Sequence, residues 1–142
     1  MSDLPGASAL QAALSGEHAA IFGYGVVGAR TSGNDRSMVM DCQAAHQKRR
    51  DALTARLTAA GVDAPAASAA YGLPFPVTSA ADARKLAVTI EERIAALWRA
   101  AVAPTSGDDR RTAVDALTDA AVRATTWRQR AGSPPTVPFP GS

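Results

Sequence analysis

Hydrophobic positions recur every three or four residues in four separate stretches of this chain, a spacing that puts them on one face of a helix. Three of the stretches begin with a serine followed three residues later by Gln or Asp, the pattern of a capping box. Glycine or proline follows three of them, as is typical of helix ends. We predict helix 1 at about residues 8–30 from Ser8 and Gln11, helix 2 from Asn34 or Asp35 to Gly61, helix 3 from Ser79 and Asp82 to Pro104, and helix 4 from Ser106 and Asp109 to Gly132.

The connections between the predicted helices differ in length, and this difference decides the topology. The first and third are turns of about four residues, which force neighbouring helices to run antiparallel. Residues 61–78 are long enough to return along a helix of about 40 Å, because an extended chain of that length reaches about 60 Å. The prediction is an all-α, ferritin-like four-helix bundle in residues 1–131, with one long crossover between helices 2 and 3. Tyr71 and Phe75 should pin the crossover, and a Pro/Gly-rich tail at 132–142 should be extended or disordered, with Phe139 as its anchor.

Composition and charge narrow the class of protein. A length of 142 residues suits one domain, and the apolar fraction of 46% with only 5% aromatic residues favours closely packed helices. The formal net charge of +2 is too small to indicate nucleic-acid binding. No apolar run approaches the roughly 18 residues of a membrane span, and the N-terminus lacks the basic start of a secretory signal. With one cysteine, Cys42, an intrachain disulfide is excluded, and we expect a cytoplasmic protein.

Several ionisable side chains fall on or beside the predicted inward faces. A di-iron bundle uses one Glu from each of two helices and a Glu-x-x-His pair from each of the other two. The candidate ligands here are Glu17 in helix 1, Gln43 and His46 in helix 2, Glu91 in helix 3 and Asp119 in helix 4. Because only one degenerate Glu-x-x-His pair survives, we favour a buried Glu17–His46 hydrogen bond, joined by Arg49 or Arg50, that fixes the helix register. An iron or manganese site is the alternative.

Four segments carry a resemblance to a known family: residues 17–29 (EHAAIFGYGVVGA), 46–51, 70–77 and 120–128. They resemble a bacterial ferritin-like domain family of unknown function, over nearly the whole chain. The resemblance implies a ferritin-like fold, and the wider superfamily implies iron, manganese and oxygen chemistry. This sequence departs from the superfamily at Gln43, where glutamate is expected, and at Val122, where histidine is expected.

Three other features have ordinary structural explanations. Gly23, Gly25 and Gly28 spell the dinucleotide-binding pattern G-x-G-x-x-G, but helical periodicity runs through them, so we expect close approach of another helix instead. Trp98 and Trp127 should be core or dimer contacts. The basic residues should form a solvated face with ion pairs, and we do not predict nucleic-acid binding. They are Lys48, Arg49, Arg50, Arg56, Arg123, Arg128 and Arg130.

These patterns favour a non-enzymatic bundle without a complete di-iron site, which acts through protein contacts or a small ligand and has a homodimer or protein partner. No cofactor is expected under this hypothesis. The second hypothesis is a metal-binding or oxidoreductase protein that keeps a reduced carboxylate/histidine site.

Overall fold

The computed structural model describes residues 4–142; residues 1–3 of the predicted bundle lie outside the described part. The chain forms four helices, α1 (Ala7–Gly28), α2 (Gly33–Ala59), α3 (Ala80–Val102) and α4 (Gly107–Ala131). Within residues 4–142 there is no strand, which confirms an all-α four-helix protein and excludes a dinucleotide-binding β-α-β unit around Gly23. None of the described helices is long and apolar enough to cross a membrane.

Pairings along α2 and α3 show that these helices run in the same direction. Asp35, near the start of α2, accepts a hydrogen bond from Arg84, near the start of α3. Farther along both helices, His46 of α2 meets Glu91 of α3. These pairings are what a long connection between α2 and α3 requires, since the chain must return to the same end of the bundle before α3 begins.

Two of the predicted N-terminal cap residues are wrong, although α1 begins within one residue of its predicted start. α1 begins after Gly6, whose φ of 78° lies in the left-handed region, and Ser8 lies inside the helix. A side chain at Gly6 would also collide with Thr105, because a Cβ there would lie 2.6 Å from the Thr105 Cγ2 atom. α2 begins after Ser32, so Asn34 and Asp35 both lie in its first turn. These starts depend on tertiary contacts and glycine geometry that the capping patterns do not contain.

The other predicted ends agree better with the structure. The Ser79 hydroxyl accepts a hydrogen bond from the backbone N–H of Asp82, as expected of a cap. Ser106 has the predicted position before α4, although the described part of the chain shows no cap hydrogen bond from its side chain. Gly61 and Gly132 follow α2 and α4 with φ of 71° and 75°, as predicted for helix-ending glycines.

The two hairpins, α1–α2 and α3–α4, repeat one another with a shift of 74 residues. Ser32 and Ser106 occupy the position before α2 and α4, and the glycine after each has a positive φ of 60° or 56°. The matching residues at this shift support an internal duplication, which two successive helical hairpins by themselves only suggest. The identical pairs outside the alanines are Glu17 with Glu91, Thr31 with Thr105, Ser32 with Ser106, Gly33 with Gly107, Asp35 with Asp109, Arg36 with Arg110, Asp41 with Asp115, Arg49 with Arg123 and Arg56 with Arg130.

Glycine lets α1 and α3 approach closely, as the sequence predicts for Gly23, whereas the same prediction is wrong for Gly25, where a Cβ would have no neighbour within 4 Å. A Cβ at Gly23 would lie 2.6 Å from the Ile90 Cδ1 atom, and one at Gly16 would lie 2.2 Å from the Leu97 Cδ1 atom. The residue equivalent to Gly16 in the second hairpin is Ile90, and the residue equivalent to Gly23 is Leu97. Each of these two glycines of α1 therefore faces the large residue that replaces the other one in α3.

The connection between α2 and α3 packs on the helices through aromatic and polar contacts. The Tyr71 ring lies 5.2 Å from the Phe22 ring, and Phe75 packs, partly buried, against the core. The ring of His18 donates a hydrogen bond to the backbone oxygen of Pro65 at 2.9 Å. The two predicted aromatic contacts are therefore present.

The tail at 132–142 lies against α3, and its anchor differs from the prediction. Arg99 donates hydrogen bonds to the backbone oxygens of Phe139 and Pro140, while the Phe139 residue is 68% exposed. Gly141, rather than Phe139, makes the close contact that anchors the tail on α3. A Cβ at Gly141 would lie 2.7 Å from the backbone oxygen of Ala95, so only glycine fits this close approach.

Candidate functional site

Three of the predicted ligand residues meet at the centre of the bundle, where each is 0% exposed. The Nδ1 atom of His46 lies 2.5 Å from Glu17 Oε1, and its Nε2 atom lies 2.9 Å from Glu91 Oε2. Glu17, His46 and Glu91 come from α1, α2 and α3, and we call them the core cluster. The buried Glu17–His46 pair expected from the sequence is therefore present, with Glu91 as a second acid on the opposite side of the ring.

Aromatic side chains complete the hydrogen bonds of the core cluster. Trp98 donates its indole N–H to Glu17 Oε2 at 2.9 Å, and Tyr24 donates its hydroxyl to Glu91 Oε2 at 2.5 Å. Trp127 of α4 in turn donates to the Tyr24 oxygen at 3.0 Å. The network consequently joins all four helices.

The sequence carries a signal for these aromatic partners that the apolar periodicity of single helices does not reveal. Tyr24 follows Glu17 by seven residues, and Trp98 follows Glu91 by seven, so each aromatic residue lies two turns from its acid on the same helical face. Because α1 and α3 are antiparallel, the acid of one helix meets the aromatic residue of the other. Both pairs belong to the 74-residue repeat.

Hydrogen bonding keeps His46 charged in spite of its burial. Burial by itself lowers the pKa of His46, but the hydrogen bonds and charges of Glu17 and Glu91 outweigh it and raise the pKa from 6.5 to about 9. At neutral pH the imidazolium therefore donates from both ring nitrogens. Each donated proton points at a carboxylate, so the positive charge of His46 and the negative charges of the two acids offset the cost of burying one another.

Tyr24 and Cys42, the other ionisable groups beside the core cluster, are held in their neutral forms. Burial raises the pKa of Tyr24 well above its ordinary value, and the charge of Glu91 raises it further. Burial also raises the pKa of the Cys42 thiol, against the lowering effect of the hydrogen bonds to Tyr24 and Arg123. A buried neutral thiol is a poor nucleophile, so Cys42 behaves as a small core residue.

Arg49 connects the core cluster to α4. Its Nη2 atom donates to Asp119 Oδ2 at 2.9 Å, and its Nη1 atom lies 3.6 Å from Glu17 Oε2. Of the two arginines that the sequence offered as a link to the Glu17–His46 pair, Arg49 is the one in place. Arg50 instead bonds to its neighbour Asp51.

The remaining two predicted ligands lie away from the core cluster. Gln43 donates its amide to the backbone oxygen of Ile21 at 3.2 Å. Asp119 accepts hydrogen bonds from Arg49 and Arg123, and these outweigh the effect of burial and lower the pKa of its carboxyl. Both residues therefore hold contacts between or along helices.

The donor set departs from the di-iron pattern at its second Glu-x-x-His position. The 74-residue shift pairs Gln43 and His46 with Leu117 and Ala120 in α4, so the second Glu-x-x-His position has two apolar residues and is not the Asp119–Val122 pair expected from the sequence. No group of three or more His, Cys, Asp or Glu side chains with a metal-binding arrangement occurs in residues 4–142. The two nitrogens of His46 also face opposite directions, so Glu17 and Glu91 do not share one coordination point with the ring.

The predicted basic face consists largely of ion pairs. Arg56 donates two hydrogen bonds to Asp109, and Arg130 bonds to Asp35. These pairs neutralise the guanidinium groups that a nucleic-acid surface would present to phosphates.

The fold and the core cluster define a class of four-helix bundle with a buried, hydrogen-bonded charge cluster at its centre. The chain belongs to the family described as Domain of unknown function (DUF4439), whose pattern matches residues 9–142. It is similar to the crystal structure of a conserved hypothetical protein, rv2844, from Mycobacterium tuberculosis, with 46% identity, a TM-score of 0.84 and coverage of 87% of this chain and 94% of that one. Among curated proteins, none matches this chain.

Proposed function

We propose that this protein is a non-catalytic four-helix bundle that acts by binding a protein partner, a second copy of itself or a small molecule. In this proposal the core cluster holds the helices in register. The observation that supports it most strongly is the position of His46, whose two ring nitrogens are each taken up by a carboxylate of another helix.

The chemistry of the core cluster argues against both catalysis and metal binding. A histidine binds a metal through a lone pair, and an imidazolium that donates from both nitrogens offers none. A general base must reach the proton of a substrate, whereas Glu17, His46 and Glu91 are all 0% exposed. The hydrogen bonds of the cluster therefore suit a structural role.

A structural role also explains why such a cluster is kept in a small protein. Glu17 and Glu91 extend from antiparallel helices, and His46 bridges them from α2. A slip of either helix by one turn, about 5.4 Å, would leave a buried charge without its partner. The cluster thereby selects one register among several that the alanine-rich faces would otherwise allow.

The alternative function, binding of iron or manganese, is supported by the convergence of two carboxylates on one imidazole. For this to occur, His46 would have to lose a proton in spite of its pKa of about 9. The Arg49 cation, 3.6 Å from Glu17, would also oppose a second positive charge there.

Metal analysis of the purified protein separates the two functions. The chain is expressed in medium with added iron and manganese, purified without chelator, and measured by mass spectrometry of the elements. We expect much less than one metal ion per chain, and the same result for His46→Gln.

Asp119→Asn is the matched control, because Asp119 was a predicted ligand that lies outside the core cluster. Stoichiometric iron or manganese in the wild type and in Asp119→Asn, but lost in a folded Glu17→Gln/His46→Gln variant, would overturn the proposal in favour of the metal site.

A further inference from the structure

The tail at 132–142 covers a cavity of about 270 Å³ on the surface of α3 and α4, which we call the tail cavity. Its floor contains Ala95 of α3 and Ala121 and Ala124 of α4, and tail residues between Thr136 and Ser142 line its other side. Benzene fits into a protein cavity of about 150 Å³, so the tail cavity has room for a small organic molecule. None of the three residues of the core cluster lines it.

Arg128 brings a positive charge to the tail cavity. Its side chain is 9% exposed, and its Nη2 atom lies 3.5 Å from Oε1 of Glu92, which is longer than an ordinary hydrogen bond of about 2.7–3.2 Å. Within residues 4–142, Arg49 Nη1 is the one side-chain nitrogen or oxygen that is fully enclosed without a hydrogen-bond partner. The nitrogens of Arg128 therefore remain in contact with accessible space, and a molecule in the cavity can reach them.

The first hairpin shows why the second one has this cavity. Three alanines of its floor replace larger residues at the shift of 74 positions: Ala95, Ala121 and Ala124 are equivalent to Ile21, Gln47 and Arg50. At the same place the second hairpin gains a cation, because Arg128 is equivalent to Thr54. Packing alone would favour larger side chains under the tail, so the loss of volume beside a buried cation is typical of a binding site.

The segments that cover the two equivalent regions are held differently. On α1, His18 bonds to the backbone of Pro65 and the Phe22 ring packs on Tyr71. The equivalent residues of α3 are Glu92, which faces Arg128, and an alanine at position 96, which has no ring. The tail is held instead through its backbone, by the hydrogen bonds from Arg99 and the close approach of Gly141 to Ala95. Backbone contacts leave the space beneath the tail free of side chains.

The charges beside the tail cavity select the chemical class of the ligand. The Glu92 side chain is 53% exposed, so its ion pair with Arg128 contributes little and its carboxylate can turn into water. A ligand carboxylate in its place would accept two parallel hydrogen bonds from the guanidinium. A dianion would be repelled by Glu92, and a cation would be repelled by Arg128. One negative charge on an otherwise apolar molecule therefore fits best.

We infer that the tail cavity binds a small monocarboxylate, whose carboxylate pairs with Arg128 and whose compact apolar body packs between Ala121 and Val137. This inference rests on the proposed function and deepens it, since it names the site and ligand class of a binding protein. The two tests remain distinct, because the cavity lies outside the core cluster and its occupancy is measured separately from the metal content.

Three probes of almost the same shape test the inference: benzoate is anionic, benzamide is neutral and benzamidine is cationic. Each is titrated at neutral pH and constant ionic strength into the full chain labelled with ¹⁵N. The backbone amide signals of Thr125 and Val137, from α4 and from the tail, are followed. We expect benzoate to shift both signals with a millimolar dissociation constant, a usual affinity for a fragment. Benzamide and benzamidine should bind at least about tenfold more weakly, because neither offers a carboxylate to Arg128.

Two variants show whether the response comes from this cavity. Arg128→Gln should weaken the binding of benzoate by about tenfold or more and leave that of benzamide unchanged. Arg130→Gln is the matched control, because it removes the same charge from an arginine that bonds to Asp35 and lies outside the cavity. If Arg128→Gln does not fold, Ala121→Gln, which copies the first hairpin and fills the cavity from a partly exposed position, should weaken benzoate by about tenfold or more.

A third variant tests the competition for Arg128. Glu92→Gln removes the carboxylate that the ligand displaces, so benzoate should bind about threefold more tightly. Unchanged or weaker binding would contradict an exchange of carboxylates at Arg128.

Three further results would overturn the inference. The first is a failure of benzoate to shift the signals of Thr125 and Val137. The second is binding of benzamide or benzamidine as tight as that of benzoate, which would reject the monocarboxylate class. The third is equal weakening by Arg128→Gln and Arg130→Gln, or unchanged binding in folded Ala121→Gln, since either would place the benzoate outside the tail cavity.

Discussion

The two hairpins of this protein share an acid, an aromatic residue two turns later and a Ser-Gly turn, yet only the first has a histidine at its centre. Glu17 and Glu91 are equivalent, whereas the equivalent of His46 is Ala120. One imidazolium has two N–H donors on opposite sides, so a single histidine satisfies both acids of a twofold arrangement. A second histidine at position 120 would add a buried cation without a carboxylate. The two hairpins can therefore differ at positions 46 and 120 while Glu17 and Glu91 both keep a hydrogen bond to the histidine.

Removal of the histidine should have the largest effect on this arrangement. We expect His46→Ala to lower the free energy of unfolding by about 3–5 kcal/mol, because Glu17 and Glu91 are then buried without their cation. Ala120→Gly at the equivalent, buried position should cost about 1 kcal/mol of helix propensity and about 1 kcal/mol for the lost methyl group. Urea unfolding followed by circular dichroism measures both. Similar losses in the two variants would show that His46 has no special structural role.

The charge on His46 should also make stability depend on pH. Its pKa is about 9 in the folded chain against an ordinary value of 6.5, so folding favours the protonated form. The resulting stabilisation is complete below pH 6.5 and is lost as pH rises to about 9, a difference of about 3 kcal/mol at about 1.4 kcal/mol per pKa unit. The quantity to measure is the difference in unfolding free energy between the wild type and His46→Gln across this range. A constant difference would contradict the charged cluster.

The equivalent acids Asp35 and Asp109 offer a smaller test of the comparison. Asp35 accepts from Arg84 of α3 and Arg130 of α4, whereas Arg56 is the one side chain within residues 4–142 that donates to Asp109. We expect Asp35→Asn to lower the unfolding free energy by about 1–2 kcal/mol and Asp109→Asn by about 0.5 kcal/mol, since exposed pairs contribute little. Chemical denaturation at low and high salt measures both, and the effects should shrink as salt rises. Equal losses would mean that the second arginine adds nothing.

The sequence by itself determined the number of helices and the residues that face inward. Periodicity of about 3.6 residues placed Glu17 and His46 on apolar faces, and both are buried. The helix-ending glycines, Gly61 and Gly132, could be predicted because glycine adopts a positive φ without steric cost. Helical periodicity and backbone conformation depend on residues that are close together in the sequence. These features could therefore be predicted without knowing which helices are neighbours.

Only the tertiary structure decided which polar groups meet. The crossed pairing of Glu17 with Trp98 and of Tyr24 with Glu91 depends on how far α1 and α3 slide past each other, which no single helix encodes. The same holds for Asp119, whose arginine partners come partly from α2. The carboxylates of Glu17 and Glu91 then keep His46 protonated against the effect of burial, because charge and solvation depend on every group around the ring rather than on its neighbours in sequence.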